Sequence, residues 1–249
     1  MLMLSVTAAA GGPIAKPNDA PSATELVERA VALADQAEAS GAAKSYGSVL
    51  YRLLEKVDSE GGVKDSTELR YRIRPDEGGL DFDLVEYNGR APSAKERQSE
   101  NRRRENLDED AGGFLLNREI TQRYELELEE CREYENRPTF VVRFKPKRER
   151  LPERSKVDCV LNRSAGKIWI DEEDGALAKV EYNLIEPAKF WLGVLGSVTD
   201  LRGAVVYSRV EKGVWLPSKV DMDLAGRLLF SSLGQRIRLR WSDYQKGGT

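Results

Sequence analysis

The residue types that carry most hydrolytic chemistry are sparse in this chain. Its 249 residues include no histidine, which removes Ser-His-Asp and Cys-His nucleophiles, histidine-ligated zinc and the commonest general base near neutral pH. Neighbouring carboxylates occur at Asp81 and Asp83 and at Glu172, Glu173 and Asp174. Their spacing is typical of a solvated strand face and of a turn. We therefore expect no catalytic residue, no metal site and no cofactor, in a protein that is not an enzyme.

The two cysteines, Cys131 and Cys159, leave two interpretations open. They form a disulfide if the fold brings their Cα atoms within bridging distance. Otherwise they are two small side chains of the core.

Composition limits the partners. Lysine and arginine together number 39 and aspartate and glutamate 42, which gives a formal net charge of -3. A dedicated nucleic-acid binder carries a basic excess on one face, so we expect no nucleic-acid partner. The basic stretch from Lys145 to Lys156 also contains Glu149 and Glu153. We interpret it as a long exposed connection, with contact to anionic lipid headgroups as the alternative.

The first residues resemble part of an export signal. Residues 1–15 carry no charge, and an apolar run precedes three alanines that end at Ala10, as at a signal-peptide cleavage site. The usual basic start is missing. Residues 1–21 are therefore either a signal remnant, which predicts an exported periplasmic protein, or a flexible linker. No uncharged run reaches the ~20 residues that span a bilayer, so we expect no membrane-spanning helix.

Two helices are indicated by capping boxes. Ser22 with Glu25 opens a helix to about Ala39, whose apolar stripe is narrow and made of small residues. Ser93 with Glu96 opens a polar segment that runs to about residue 110. Because that segment has almost no apolar face, we interpret it as a solvated helix over a loop.

The remaining elements have the hydrophobic period of strands. From Tyr46 onward apolar and polar residues alternate, with one wet face, which is typical of antiparallel hairpins. About ten strands follow this pattern without βαβ alternation, which excludes a parallel α/β fold. We predict a mainly β protein, with one curved antiparallel sheet around the N-terminal helix, in a single domain from residue 22 to 245.

One connection is unusually apolar. Between Lys189 and Asp200 the sequence reads Phe-Trp-Leu-Gly-Val-Leu-Gly-Ser-Val-Thr, where a hairpin normally has turn residues and charges. Folded onto the sheet, this run is a structural plug. If Gly193 and Gly196 let it move, it is an apolar lip that touches acyl chains or a membrane surface.

Four stretches resemble a known family. Residues 168–171 (Ile-Trp-Ile-Asp) with 177–180, residues 213–219 (Gly-Val-Trp-Leu-Pro-Ser-Lys) and residues 241–244 (Trp-Ser-Asp-Tyr) are similar to the outer-membrane lipoprotein-sorting (LolA/LolB-like) superfamily. The resemblance implies an incomplete β-barrel of about eleven antiparallel strands around helices. It also implies an apolar cavity that accepts lipid acyl chains in the bacterial periplasm.

The candidate cavity residues are the inward alternates of the strands and the apolar connection. They are Val49, Tyr51, Leu69, Tyr71, Phe82, Leu84, Phe190, Trp191, Leu192, Leu195, Val220, Met222, Leu224, Ile237 and Leu239. The expected partners of a monomeric periplasmic carrier are lipid or lipoprotein acyl chains, a transient membrane surface and an envelope protein. The alternative is a non-transporting envelope sensor or interaction module whose cavity is filled.

Overall fold

The computed structural model describes residues 21–76, 79–108, 120–149, 151–190, 196–228 and 231–247. The predicted signal remnant lies outside the described residues. The described helices are α1 (Ala23–Ala39), α2 (Ala94–Asp108), α3 (Ile120–Arg123) and α4 (Lys156–Leu161), with a 3-10 helix at Ala43–Ser45. None of these helices has the length and apolarity needed to cross a membrane.

Eleven strands form one sheet. In chain order they are β1 (Tyr46–Val57), β2 (Val63–Asp76), β3 (Gly79–Tyr87), β4 (Tyr124–Tyr134), β5 (Arg137–Pro146), β6 (Ser164–Asp171), β7 (Leu177–Leu184), β8 (Ala188–Phe190), β9 (Gly196–Glu211), β10 (Val214–Leu228) and β11 (Ser231–Lys246). Their spatial order is β3-β2-β1-β11-β10-β9-β7-β6-β5-β4, and β8 pairs with β9. Every pair of described strands is antiparallel, which confirms the predicted fold class.

The sheet is open, with β3 and β4 at its two edges. On β4, Glu125, Glu127 and Glu129 pair with basic side chains of β5 and β6 at 2.9, 2.6 and 2.6 Å. At the other edge, Arg97 of α2 donates a hydrogen bond to the carbonyl oxygen of Leu84 in β3. Both edges therefore carry charged groups that belong to the fold itself.

Helix α1 begins at the predicted capping box. The Ser22 hydroxyl accepts a hydrogen bond from the Glu25 amide at 3.2 Å, and the Glu25 carboxylate accepts one from the Ser22 amide at 2.8 Å. The helix contacts β4, β6 and β7 and belongs to the main hydrophobic core. Its buried residues are Ala23, Leu26, Val27, Ala30 and Val31, and the core residues of the facing strands include Tyr124, Val142, Ile168 and Val180.

The sheet curves around α1. Phe82 on β3, Val180 on β7 and Ala34 on α1 line the same cavity. In a flat sheet, the six strand spacings between β3 and β7 would place these residues about 29 Å apart. A shared cavity therefore requires a strongly concave inner face, as predicted.

Helix α2 also begins at its predicted capping box, where Ser93 and Glu96 exchange hydrogen bonds at 3.3 and 2.8 Å. The expectation of a solvated helix is wrong at Glu100, which is only 3% exposed. Its carboxylate accepts a hydrogen bond from the Tyr71 hydroxyl at 3.0 Å and forms an ion pair with Arg52 at 3.5 Å. The helix is thus anchored to the inner face of β1 and β2.

The basic connection between β5 and α4 differs from the sequence expectation. Strand β5 extends to Pro146, and α4 starts at Lys156 after its own cap, in which the Ser155 hydroxyl accepts from the Asp158 amide at 3.0 Å. The basic connection is therefore shorter than predicted.

Cys131 is exposed, Cys159 is buried, and both are free thiols.

A buried ion pair ties β5 to β6. Asp171 is completely buried, and its carboxylate accepts two hydrogen bonds from Arg137, at 2.6 and 2.8 Å. The Asp174 amide donates a third at 2.8 Å. Burial acts to raise the pKa of Asp171, but these hydrogen bonds outweigh burial and hold the pKa below its ordinary value. The carboxylate is therefore charged in the folded protein at neutral pH.

We expect Arg137→Gln to lower the free energy of unfolding by about 3 kcal/mol, because it leaves a buried carboxylate without its partner. The matched control is Arg143→Gln on the same strand, whose ion pair with Glu127 is half-exposed and should contribute within about 0.5 kcal/mol. Urea unfolding of both variants measures the difference. Equal losses of unfolding free energy in the two variants would contradict a special contribution from the buried ion pair.

The same pair predicts a pH dependence. Because the folded pKa of Asp171 is lowered, its contribution is complete above the ordinary value of 3.8 and is lost as the pH falls through the folded pKa. The stability gap between wild type and Arg137→Gln should therefore narrow as acidification protonates Asp171, because a protonated Asp171 no longer needs the arginine charge. Unfolding curves at a series of pH values would show this. A constant gap would be inconsistent with the ion pair.

Candidate functional site

One row of inward-facing side chains crosses the sheet at right angles to its strands. Residues directly opposite each other on antiparallel strands share a face, so the pairing register identifies the row. From β2 to β4 it is Leu69, Arg52, Leu239, Val220, Val205, Val180, Ile168, Val142 and Leu128. Arg52 is its one charged member, and the other eight side chains are aliphatic.

A second row lies beside the first and contains two glycines. From β2 to β4 it is Thr67, Leu54, Ile237, Met222, Gly203, Tyr182, Gly166, Phe144 and Leu126. A Cβ atom at Gly203 would lie 2.5 Å from Cζ of Tyr182. The tyrosine ring therefore packs directly over the Gly203 backbone, and a side chain at position 203 would clash with the ring.

An apolar trough of about 820 Å³ lies between this sheet face and α1. Helix α1 contributes Ala30, Ala34 and Ala37 together with Val31 and Leu33. Because these side chains are mostly small, they leave part of the concavity unfilled. The volume is within the range of about 300 to 1,000 Å³ that is common for small-molecule sites.

Six predicted cavity residues line the apolar trough. They are Tyr71, Phe82, Val220, Met222, Ile237 and Leu239. Four more are on the inner side without lining it. Leu69 and Leu84 are buried in a hydrophobic cluster of β1, β2 and β3, and Leu224 and Phe190 pack against the main core.

Val49 and Tyr51 lie on the outer face of the sheet, which corrects their expected place in the cavity. Leu50 pairs with Tyr71, and Leu50 and Tyr71 both line the apolar trough. Residues 49 and 51 alternate with Leu50 and point the other way. In the sequence both faces of β1 are apolar, so its alternation did not determine which face is inward.

The apolar connection is only partly described. Phe190 ends β8 and pairs with Gly196 at the start of β9, so strands occupy much of the stretch that we expected to be a loop. Trp191, Leu192 and Leu195 lie outside the described residues.

Several lining residues were missed from the sequence. They include Leu50, Leu54, Val205, Tyr207, Trp215 and Trp241, as well as the alanines of α1. For Val205 and Tyr207 the signal was the alternation within β9. The alanines were visible in the sequence only as the narrow apolar stripe of α1. Such a stripe does not show whether the facing sheet fills the space beside the helix.

Two tyrosines on the inner face, Tyr182 and Tyr207, add no charge to the trough. Burial raises the pKa of Tyr182 to about 12 and also raises the pKa of Tyr207. Both rings are therefore un-ionised near neutral pH. They add phenol hydroxyls to the trough but no charge.

Two charged side chains, Arg52 and Asp174, are among the described residues that line the apolar trough. Asp174 accepts a hydrogen bond from Trp215 Nε1 at 2.9 Å and pairs with Arg209 at 2.8 Å. Its charge is therefore compensated within the fold.

A second cavity, the polar chamber, has a volume of about 840 Å³ and lies between α2 and the sheet. Arg52, Leu54 and Ile237 line both cavities, so the chamber meets the apolar trough at β1 and β11. The described residues contain no group of three or more metal-ligating side chains placed to hold an ion. The arrangement is suited to binding an amphipathic molecule.

No family model matches the chain, and no curated protein sequence matches it. Similar solved structures include an outer membrane lipoprotein-sorting protein domain from Vibrio parahaemolyticus, with 13% identity over 88% of this chain and 92% of that chain and a TM-score of 0.36. A LolA superfamily protein from Nitrosomonas europaea has 14% identity over 92% and 96%, with a TM-score of 0.36. The MucA/MucB complex of Pseudomonas aeruginosa has 11% identity over 88% and 100%, with a TM-score of 0.23. The first two structures belong to the lipoprotein-sorting superfamily that the sequence motifs resemble.

We expect Gly203→Ala to destabilise the protein by roughly 1 to 3 kcal/mol, the usual cost of overpacking. The added methyl would meet both the Tyr182 ring and the Asp221 carbonyl oxygen, which lies 2.9 Å away. Adding Tyr182→Leu should recover part of the loss, because it removes one of the two clashes. A double-mutant cycle of thermal unfolding measures this, and strictly additive effects would contradict the packing described here.

Proposed function

We propose that this chain binds an acyl chain of a lipid or lipoprotein in the apolar trough. The observation that carries the proposal is the unfilled space between α1 and two rows of mainly aliphatic side chains. A non-transporting module with the same fold would instead have this space filled.

The free energy gained by burying an acyl chain is sufficient for a carrier. Each methylene moved from water to an apolar surface gains about 0.8 kcal/mol, so a chain of about twelve carbons gains on the order of 10 kcal/mol. A trough that shields such a chain removes most of the cost of moving it through water. Release then requires a partner or membrane that offers an equally apolar site.

Transport within the bacterial periplasm is a further part of the proposal. The signal-like residues 1–10 and the lipoprotein-sorting motifs after residue 165 support it. We propose a monomer that contacts a membrane surface or an envelope protein during loading and release.

We expect Val220→Trp to weaken binding of a fluorescent fatty-acid probe at least about ten-fold, because Val220 is at the centre of the trough floor and an indole there takes the ligand's space. The matched control is Val49→Trp, the same substitution on the outer face of the sheet. Equilibrium titration of purified protein measures both. Equal weakening would place the probe elsewhere, and a wild-type protein that binds no probe and releases no lipid in native mass spectrometry would favour the non-transporting module.

The four tryptophans allow the ligand to be located. Trp215 and Trp241 line the apolar trough. Trp169 does not line it and belongs to a cluster with Val141 and Ala178, against which Trp215 packs. In a Trp191→Phe background, a brominated fatty acid should quench the fluorescence of Trp215 and Trp241, because bromine quenches at close contact.

Replacing both trough tryptophans by phenylalanine should therefore remove most of the quenching. Replacing Trp169 should leave it almost unchanged. Quenching that survives the double replacement would mean that the acyl chain does not lie in the trough.

A further inference from the structure

The apolar trough and the polar chamber meet at one cation. Arg52 lines both cavities, together with Leu54 and Ile237. It is the charged member of the aliphatic row, and its side chain is only 14% exposed. A guanidinium in such a position needs a compensating anion, because burying an unpaired charge is costly.

The positive charge of Arg52 is only weakly compensated by the described residues. Among the described residues its hydrogen-bond partner is Glu100, at 3.5 Å, whereas a charge-assisted hydrogen bond is normally about 2.7 to 2.9 Å long. A guanidinium has five N–H donors. Most of the donors of Arg52 therefore remain for water or for a ligand.

Glu100 is held more tightly by other groups. Its carboxylate accepts hydrogen bonds from the Tyr71 hydroxyl and from Arg103, both at 3.0 Å. Two guanidiniums thus share one carboxylate. An anion that binds Arg52 does not have to displace Glu100 from its best partners.

The rest of the polar chamber does not supply the missing charge. The described residues that line it include five cations and four anions. Lys56 pairs with Asp65 at 3.1 Å, and Arg236 lies 3.8 Å from Glu55. A further lining carboxylate, Glu96, pairs at 2.6 Å with an arginine that does not line the chamber. The described lining cations without a close carboxylate are therefore Arg52, Lys95 and Arg236, and of these three Arg52 alone also lines the apolar trough.

We propose, resting on the proposed function, that the ligand is an acyl chain with an acidic head. The chain lies in the apolar trough, and the carboxylate or phosphate of the head lies in the polar chamber against Arg52. Arginine suits this role because its planar fork matches both anions in bidentate geometry. Arg52 is then a specificity residue, which selects the head, while the aliphatic rows bind the chain.

The test uses ligands with the same dodecyl chain and different heads: dodecanol, laurate, dodecyl phosphate and dodecyltrimethylammonium. Each displaces a neutral fluorescent hydrophobe from the purified protein at low ionic strength. We expect laurate or dodecyl phosphate to bind roughly ten-fold more tightly than dodecanol, the gain of one hydrogen-bonded charge pair. The cationic ligand should bind least well, and the comparison of the two anions identifies which acidic head is preferred.

Variants test the residue. Arg52→Gln should reduce the ratio of laurate to dodecanol affinity to about one, and Arg52→Lys should keep a preference for laurate. Arg70→Gln, which removes a guanidinium from the outer face of the neighbouring strand, should leave the ratio unchanged. Thermal unfolding checks that each variant is folded. If Arg52→Gln does not fold, the wild-type ligand series tests the acidic head, and Arg52→Met, which keeps the length of the apolar stem, tests the residue by the same ratio.

The outcomes separate this inference from the proposed function. Tight binding of all four ligands without preference, or preference for the cation, overturns the acidic head and leaves the acyl-chain trough intact. Failure of every ligand to bind overturns both. A laurate preference that persists in folded Arg52→Gln overturns the role of Arg52.

Discussion

The cavity depends on one packing mismatch, between a concave sheet face and a helix whose facing side chains are too small to fill it. Helix α1 packs fully on β4, β6 and β7, where its valine and leucine meet Ile168 and Val142. Further along the same helix, alanines face β9, β10 and β11. Because alanine adds no length beyond Cβ, the space remains open there. Larger residues at these positions would convert the trough into ordinary core.

Two packed regions support the trough from either side. The main core joins α1 to β4, β6 and β7, and a second cluster of Leu50, Leu69, Tyr71, Ile73 and Leu84 joins β1, β2 and β3. The central strands β10 and β11 connect these regions, and most of their described residues are only half-buried. The stability of the fold therefore comes mainly from the flanks, and the middle of the sheet lines the trough. The ion pairs of Asp171 and Glu100 fix the flanks at points where a carboxylate would otherwise be buried alone.

The sequence predicted the local features and could not predict the non-local ones. The capping boxes, the antiparallel alternation and the inward faces of β2, β3, β10 and β11 follow from spacing within each segment, and the structure confirms them. The face of β1 did not follow, because Leu50 and Tyr51 are both compatible with the interior. The row through Arg52 arises only when β1 pairs with β11, almost 200 residues away in the chain. Glu100 is in a segment that is polar on all sides, and its burial depends on Tyr71 and Arg52, which no local pattern links to it.

The open edges of the sheet have a consequence for self-association. Unpaired strands are templates on which a second copy can add and start polymerisation. A second copy that approached β4 would meet the ion-paired column of Glu125, Glu127 and Glu129 instead of an apolar edge, and charged side chains on an edge strand disfavour such pairing. At the β3 edge, the Arg97 guanidinium already occupies a carbonyl oxygen that an incoming strand would need. An open sheet can thus leave a trough on its inner face while its two edges disfavour the addition of further strands.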